Sequence, residues 1–418
     1  MKESLFDTQD FYKFTMGDFI DQEHPDAEVT FRMHNRQPDV IRIADYTSVE
    51  ELQEHYDRLQ DLRFTSDEID WLRSLTDAEG KQRFRNGYLG RLAAFQMPKI
   101  RVFMDTENND ISAEATGLWP DVSLTEIPML STLSEACYPN YLASHGISKQ
   151  EAWDGGDRRF DYFAHAAGSQ PGFRFADFCT RRRFGSEWQD HITRRILDEI
   201  PETFIGTSNP YLAKKYGIKP IGTNAHELGQ VFAGIEENHG GSPIDGFMRM
   251  VRKWPERYPD MPVLLTDTYT TGLTLHELSD DELDRYKTFR IDSGKERKIG
   301  AQIIAAVQAA GLDPREKSLL FSNSLSIDEA LALDREFRIA GRIGATSGIG
   351  GGLGNNMEDR FGRSTPRWNV VSKAVSVDGR GLVKLSDDEG KHMGNPADVA
   401  RYQREVAERL ALPRKQAA

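Results

Sequence analysis

Residues 203–227 read TFIGTSNPYLAKKYGIKPIGTNAHE. Two short apolar runs end in Gly-Thr, at Gly206-Thr207 and Gly222-Thr223, and each leads into helix-like sequence. A strand that hands over to a helix at a polar end is the unit of βαβ construction. The second helix is predicted to carry Thr223, Asn224 and His226 in its first turn. A helix start offers unpaired N–H groups and a positive dipole end, so it suits an anionic ligand. A histidine there can serve as base, acid or nucleophile towards a phosphate. The competing reading is an ordinary helix cap beside a surface histidine. The surrounding sequence has to decide between the two.

Outward from this stretch the same pattern recurs. FADF precedes a helix at about 186–200, PVLLTD follows, TFRID precedes 298–310, SLLFS precedes 327–337, and GRIGATSGIG closes the series. That makes about seven strand-then-helix units, each strand ending in a polar or glycine-rich cluster. A (β/α) barrel carries its chemistry at the C-terminal ends of its strands, whereas a doubly wound sheet gathers it at one switch point. The distribution favours a barrel, of irregular or incomplete form.

The flanks read differently. Asp7–Phe19 spaces Phe11, Phe14, Thr15 and Phe19 along one helical stripe, leaving Tyr12 and Lys13 free to reach outward. Val29–Met33 and Lys99–Met104 alternate as strands, the latter at a sheet edge, and residues 48–95 have helical periodicity. Glu126–Glu135 is an apolar helical stripe with a glutamate at each end, and Pro128 marks its start. Trp153–Gly172 is glycine-rich and reads as a connection. Beyond Arg360, two strands flank an Asp378-Gly379 turn and return to the N-terminal sheet; a charged helix from Pro396 and a short basic tail follow. The expected organisation is an N-terminal α+β domain, 1–135, completed by strands from about 366–418, and a (β/α) barrel over 136–365.

With 418 residues there is ample chain for such a core, and a hydrophobic content of 38% with 28% charged residues is ordinary for a globular protein. A net charge of −13 argues against nucleic-acid binding through bulk electrostatics, so anionic ligands must be held by local cations and helix starts. Cys137 and Cys179 form neither a metal-ligand spacing nor a disulfide framework, which fits a reducing, cytoplasmic setting. No leader-like or membrane-spanning apolar run is present in the sequence.

The strand ends carry the chemistry. DFCTRRRFG, 177–185, sets Phe178 as a flat face beside three arginines suited to bidentate phosphate or carboxylate contacts. LLTDTYTT puts Asp267 at one strand end, and FRIDSGK puts Arg290, Asp292 and Ser293 at the next. Two carboxylates beside an arginine fit ribose hydroxyls or a hydrated Mg²⁺ better than a pair of helix caps. FSNSL adds hydroxyl and amide donors, and GIGGGLG, 348–354, is a glycine loop where barrels seat a phosphate, without a dinucleotide fingerprint.

These residues resemble the nicotinate phosphoribosyltransferases. The resemblance runs through DTQDFYKFTM, EIPMLSTLSE, DFCTRRRFG, FIGTSN, PIGTNAHE, LLTDTYTTG, RIDSGK, FSNSL, GIGG and VKLSDDEGK, nearly the whole chain. It implies an irregular α/β barrel of the type II phosphoribosyltransferase kind. The implied reaction moves phosphoribose from phosphoribosyl pyrophosphate to nicotinate, giving nicotinate mononucleotide and pyrophosphate. It also implies coupling to ATP hydrolysis through a phosphohistidine at His226, with Mg²⁺ arriving on ATP and phosphoribosyl pyrophosphate and no tightly bound metal. The implied assembly is a homodimer with shared sites, without nucleic-acid or membrane partners.

By the same resemblance Phe178 stacks on nicotinate and Tyr12 of the partner subunit covers its other face. Thr223 and Arg290 contact nicotinate, Arg290 at the carboxylate. Arg181 binds phosphate, Asp292 the ribose, and Asp267 lies near the ring nitrogen or the metal. Gly350 and Gly351 hold the 5′-phosphate, and Thr180, Ser208 and Ser293 join the substrate contacts. Nicotinamide-using relatives carry an acidic residue where Ser208 stands, so a neutral serine free to donate to a carboxylate favours nicotinate. The chain departs from the family pattern at Cys179, at Ile291 and Lys295 in RIDSGK, and at Gly351, where the family has threonine. Rival readings are nicotinamide or quinolinate phosphoribosyltransferase, and a non-catalytic barrel that senses phosphorylated nucleotides.

Overall fold

The computed structural model describes residues 4–365 and 368–414. It divides into two compact units, 1–222 with 349–373 and 223–348 with 374–418. These units cut the chain at other points than the expected domains, 1–135 with about 366–418 and 136–365. The physical reason for the first unit's extent is a buried cation. Arg183, fully enclosed, bonds Asp7, Gln189 and Glu135, so it fastens the N-terminus and the helix Glu126–Ser144 to the arginine run.

In the first unit β1 (Glu28–Asn35), β2 (Arg101–Asp105) and β3 (Asp110–Leu118) form an antiparallel sheet with β3 in the middle and β2 at an edge. Three helices, Val49–Leu59, Ser66–Ser74 and Asn86–Ala93, fill the region read as helical. Thr65 and Glu68 close a capping box on the second of them, satisfying two donors at that helix start. Two parallel strands, β4 (Phe175–Asp177) and β5 (Phe204–Thr207), pair from Phe175↔Phe204 to Asp177↔Thr207.

Three expectations fail here. Lys13 is not free: it is buried in the helix Tyr12–Glu23, 2.6 Å from Glu126, which is itself buried. Trp153–Gly172 is not a connection, because most of it lies in the 20-residue helix Lys149–Gly168. Its glycines serve packing. A Cβ on Gly155 would stand 2.0 Å from the Glu358 carbonyl oxygen, and one on Gly156 would stand 2.5 Å from Trp188. KPIGT is not a strand, since Pro220 makes only a single bridge to Thr207. Proline has no N–H for a ladder, and Gly222 sits at φ 149° with Tyr12 backbone nitrogen 2.7 Å from where its Cβ would be.

The second unit holds β6 (Val263–Leu265), β7 (Thr288–Ile291), β8 (Ser318–Phe321) and β9 (Gly344–Ile349), parallel and in the order β9-β8-β7-β6. Their registers run Leu264↔Phe289, Phe289↔Leu319 and Leu319↔Ala345, so the apolar middles stack and the polar C-terminal ends emerge together. The described residues thus give six parallel strands, four here and two in the first unit. The helix His226–Asn238 begins at His226, so Thr223 and Asn224 precede it rather than form its first turn. It packs on Pro243–Arg257, a helix absent from the sequence reading. Gly246 permits that approach: its Cβ would lie 2.5 Å from the Phe232 carbonyl oxygen.

Strand β10 (Val370–Val377) leads into β11 (Arg380–Gly381) through Asp378 at φ 46° and Gly379 at φ 79°, the paired left-handed residues of a type I′ hairpin. The first residues of β10 belong to the first unit, where the Arg36 N–H donates to the Asn369 carbonyl, 3.0 Å, and the strand lies beside β1. The charged helix is Pro396–Leu410, and the basic tail past Arg414 lies outside the described residues. The whole is the mixed fold class expected, an N-terminal α+β portion followed by parallel-stranded α/β construction. No helix among the described residues is long and apolar enough to cross a membrane.

The glycine packing yields a test. In a free helix, alanine is better than glycine by about 1 kcal/mol. Gly155→Ala should nevertheless destabilise the protein by about 2 kcal/mol or more, because Glu358 backbone must move. A denaturant midpoint that rises in the variant would show that propensity outweighs the clash.

Candidate active site

Three ends of structure in the second unit converge on one imidazole. His226 opens its helix and is 5% exposed; Asp267 follows β6 and is 1% exposed; Asp292 follows β7. His226 Nε2 lies 3.4 Å from Asp267 Oδ1 and 3.4 Å from Asp292 Oδ2, while Nδ1 is 3.1 Å from the Thr268 hydroxyl. Burial is the largest influence on the ring and pushes its pKa down to about 4, against the pull of both carboxylates. The imidazole is therefore neutral near pH 7, with a lone pair available. A proton on Nε2 is donated to Asp292 Oδ2, with Asp267 Oδ1 at the same distance, and leaves Nδ1 to accept from Thr268, which assigns the tautomer.

The carboxylates are held as anions. Burial by itself would raise Asp292, but the Arg290 guanidinium, 2.9 Å from Oδ1, acting together with His226 and Lys384, outweighs it and holds the acid well below the usual range. The Ser322 hydroxyl adds a 2.7 Å bond to the same oxygen. Arg290 also donates to Ser322 Oγ, 2.9 Å, and to the Asn224 carbonyl, 3.1 Å, so it links the segment before His226 to two strand ends. Burial also works against the Asp267 charge. Its pKa is nonetheless lowered, with the Lys384 ammonium 3.5 Å from Oδ2 and the Ser293 hydroxyl donating to that oxygen. Asp267 Oδ1 has no hydrogen-bond partner among the described residues and faces the imidazole.

Of the residues singled out in the sequence, this cluster gathers His226, Asp267, Arg290, Asp292 and Ser293, with Thr223 one residue ahead of Asn224. Sequence reasoning assigned no role to the segment Leu382–Asp387, although VKLSDDEGK was in view. Lys384 braces Asp267, Ser386 donates to Ser293 at 2.7 Å, and Asp387 accepts from the Thr271 N–H at 2.8 Å. The signal was a lysine, a serine and two acids in six residues, whose partners lie about a hundred residues upstream. Thr270, beside them, is held at φ 89°, a strained conformation for a β-branched residue.

The first unit has its own polar cluster. Ser208, expected to be free to donate to a carboxylate ligand, instead donates to Asp10 Oδ1 at 2.6 Å. The reason is burial: Asp10 is 3% exposed and needs donors, and Ser208 and Thr180 supply them. Arg181 acts on Asp10 and Glu126 through space. Tyr12 hydroxyl donates to Glu126 at 3.2 Å. Phe178 and the glycine loop meet through their backbones. The Phe178 N–H donates to Ile349 at 2.9 Å, and a Cβ on Gly350 would lie 2.9 Å from the Phe178 carbonyl, so Gly350 and its neighbour Gly351 follow tightly on that residue. Of the three arginines, Arg183 is enclosed in structural ion pairs and Arg182 donates to the Val370 carbonyl. Among the described residues no group of three His, Cys, Asp or Glu side chains is arranged to hold a metal ion.

Comparison with known proteins covers nearly the full length. Residues 173–409 match the nicotinate phosphoribosyltransferase (NAPRTase) family, and residues 8–134 match the NAPRTase N-terminal domain. The chain is 32% identical over 408 residues to the nicotinate phosphoribosyltransferase of Xanthomonas euvesicatoria pv. vesicatoria, spanning 96% of this chain and 97% of that protein. It superposes on the nicotinate phosphoribosyltransferase structure from Porphyromonas gingivalis with a TM-score of 0.83 at 26% identity, covering 97% of this chain and 100% of that one. The Vibrio cholerae structure of the same name gives 0.81 at 25% identity, covering 97% and 93%.

Asp10 provides a pH test. Burial is the largest influence and lifts its pKa from 3.8 to about 6. The native state therefore binds more protons than the unfolded chain between those values, and stability from this group is lost as pH rises through about 6. Asp10→Asn keeps an acceptor for Ser208 and removes the charge. Its advantage over wild type should grow from nothing near pH 4 to at most about 3 kcal/mol at pH 8. Thermal melts across that range in which the difference stays constant would contradict the raised pKa.

Proposed function

The chain belongs to the nicotinate phosphoribosyltransferase family, and from that premise we propose that it transfers phosphoribose from phosphoribosyl pyrophosphate to nicotinate and couples the transfer to ATP hydrolysis at His226. The observation that carries the reading is a neutral, buried imidazole at a helix start, clasped by two ionised carboxylates. A neutral ring is the nucleophilic form, and Nδ1 has the lone pair in the assigned tautomer. Nδ1 attacks the γ-phosphorus of ATP, the bond to the ADP oxygen breaks, and ADP leaves with that electron pair. Positive charge then builds on a ring whose Nε2–H faces Asp267 and Asp292, and their negative charge stabilises it. Water later hydrolyses the phosphohistidine to phosphate and restores the neutral ring.

In the transfer itself, the C1′–oxygen bond of phosphoribosyl pyrophosphate breaks as pyrophosphate departs with the electrons. The nicotinate ring nitrogen donates its lone pair to the oxocarbenium-like carbon. Little proton transfer is needed, so positioning and charge dominate. Asp292 is assigned to the ribose, Arg181 and the Gly350–Gly351 loop to phosphate, and Phe178 with Tyr12 of the partner subunit to the faces of nicotinate. Thr223 and Ser208 complete the contacts. Arg290, braced on Asp292 and Ser322, is assigned to the nicotinate carboxylate. Mg²⁺ enters as part of ATP and phosphoribosyl pyrophosphate. The product serves NAD biosynthesis by salvage of the pyridine ring. The enzyme works in the cytoplasm as a homodimer, a setting in keeping with its free, buried Cys137 and Cys179.

Pyrophosphate release from phosphoribosyl pyrophosphate, with nicotinate or nicotinamide and with or without ATP, tests the reading directly. Efficient use of nicotinamide would move the assignment to the rival enzyme. His226→Ala should abolish acid-labile labelling from γ-labelled ATP while slow, ATP-independent transfer survives; label that persists places the phosphoryl group elsewhere.

Shared sites are tested by mixing. Tyr12→Ala and Arg181→Ala should each lose most activity alone, and subunit exchange between them should restore up to one intact site per dimer. Mixtures no more active than their parents would refute sharing.

A further inference from the structure

After the hairpin the chain crosses the polar ends of the parallel strands as a strap, residues 382–393. The strap is closed on itself, with Lys384 and Met393 exchanging N–H donors and carbonyls at 3.0 and 2.9 Å. It is also tied to three strand ends. Leu385 donates its N–H to the Thr268 carbonyl at 3.0 Å beyond β6, and Asp387 donates its N–H to Ser293 Oγ at 3.2 Å beyond β7. Beyond β8, Lys391 Nζ donates to Asn323 Oδ1 at 2.9 Å. Gly294, at φ 76°, clears the path, since a Cβ there would lie 3.1 Å from Asp387 Cβ.

The tie at β6 bears on the imidazole. The strap holds a partner of each ring nitrogen, and the two are neighbours in sequence: Asp267, which faces Nε2, and Thr268, whose hydroxyl meets Nδ1. Thr268 is held by the Leu385 N–H, and Asp267 by Lys384, whose ammonium lies 3.5 Å from Oδ2. Lys384 is 4% exposed and makes no other ion pair among the described residues. An ion pair buried for stability needs close geometry, as Lys13 has with Glu126 at 2.6 Å. Lys384 stands farther off because Oδ2 already accepts from the Ser293 hydroxyl, with Ser386 Oγ 3.4 Å away. It therefore works by charge, lowering the proton affinity of Asp267 and of the ring behind it. The other charged groups facing the ring are Asp267 itself and Asp292, the latter offset by Arg290 at the end of β7. Asp387, bonded to the Thr271 N–H and hydroxyl, completes the charges around Asp267.

We propose that Lys384 is a positioning residue for the phosphoryl step: acting through Asp267, it keeps that carboxylate in line with Nε2 and keeps the Nδ1 lone pair free to attack phosphorus. The inference rests on the phosphohistidine reading and names the residue, outside the cluster of strand ends, that sets the readiness of the ring. Without the ammonium, a solvent proton adds to Nδ1. The lone pair then forms an N–H bond instead of the bond to phosphorus, and the imidazolium cannot attack.

Lys384→Met keeps most of the bulk and removes the charge. In the full chain carrying ¹³C-labelled histidine, the His226 signal, assigned with His226→Ala, should titrate about one pH unit higher in this variant than in the wild type. Initial rates of acid-labile labelling from γ-labelled ATP should fall about tenfold on the acid side of the profile and converge with the wild type on the alkaline side. Lys384→Gln, which still donates to Asp267, should show the same shift, separating charge from packing, and Lys384→Arg should bring both readouts back. Neutral variants that titrate with the wild type, or that lose labelling equally at every pH, overturn the proposal. So does failure of both neutral variants to fold, because the lysine is then structural. A wild type that takes no label refutes the phosphohistidine reading; a labelled wild type beside variants with an unshifted profile refutes this inference alone.

Discussion

The arrangement of the second unit depends on keeping one imidazole neutral between two charged carboxylates. Burial strips His226 of the solvation its cation would need, and the carboxylates alone would restore that cation. Burial prevails, with Lys384 acting in the same direction, while each acid is engaged from its far side: Arg290 and Ser322 on Asp292, Lys384 and Ser293 on Asp267. Four parallel strands, the start of one helix and a C-terminal segment have to meet for this to work, which is a reason for the chain to return through Leu382–Asp387 after its last parallel strand.

The first unit solves a related problem differently. Its buried ions are paired inside the fold, as Lys13 with Glu126 and Arg183 with Asp7 and Glu135. Breaking one member of such a pair leaves an isolated charge without water, a loss of several kcal/mol. Asp10, like Asp110 and Asp177, is buried without an ion pair among the described residues; it has hydroxyl donors, and burial raises its pKa. A chain of net charge −13 therefore keeps its cations where local geometry demands them.

What the sequence made legible follows the range of the interactions involved. Strand ends are local: apolar run, then Asp or Gly-Thr, then helix. Asp267, Asp292 and His226 could accordingly be picked out, and the type I′ turn at Asp378-Gly379 likewise. The glycines of Lys149–Gly168 misled because Gly155 and Gly156 answer to Glu358 and Trp188, remote in sequence. Lys13 misled for the same reason, since its partner is 113 residues away at Glu126 by direct subtraction of their numbers. KPIGT has the composition of its neighbour TFIGT, and a single missing N–H at Pro220 separates a strand from a bridge.

Ser208 carries the same lesson into chemistry. As a residue type it is neutral, and a neutral side chain beside a carboxylate ligand is a sound expectation. Its surroundings change its meaning, because its hydroxyl hydrogen already belongs to Asp10. The group that then governs this part of the unit is the carboxyl behind it, whose charge changes near pH 6. Below that pH, Asp10 presents a neutral partner to Ser208; above it, a buried anion that Arg181 opposes through space. Selectivity argued from position 208 alone therefore omits the stronger electrostatic term. A comparison of carboxylate and carboxamide ligands at this position has to count the pair, serine with its acid, as one unit.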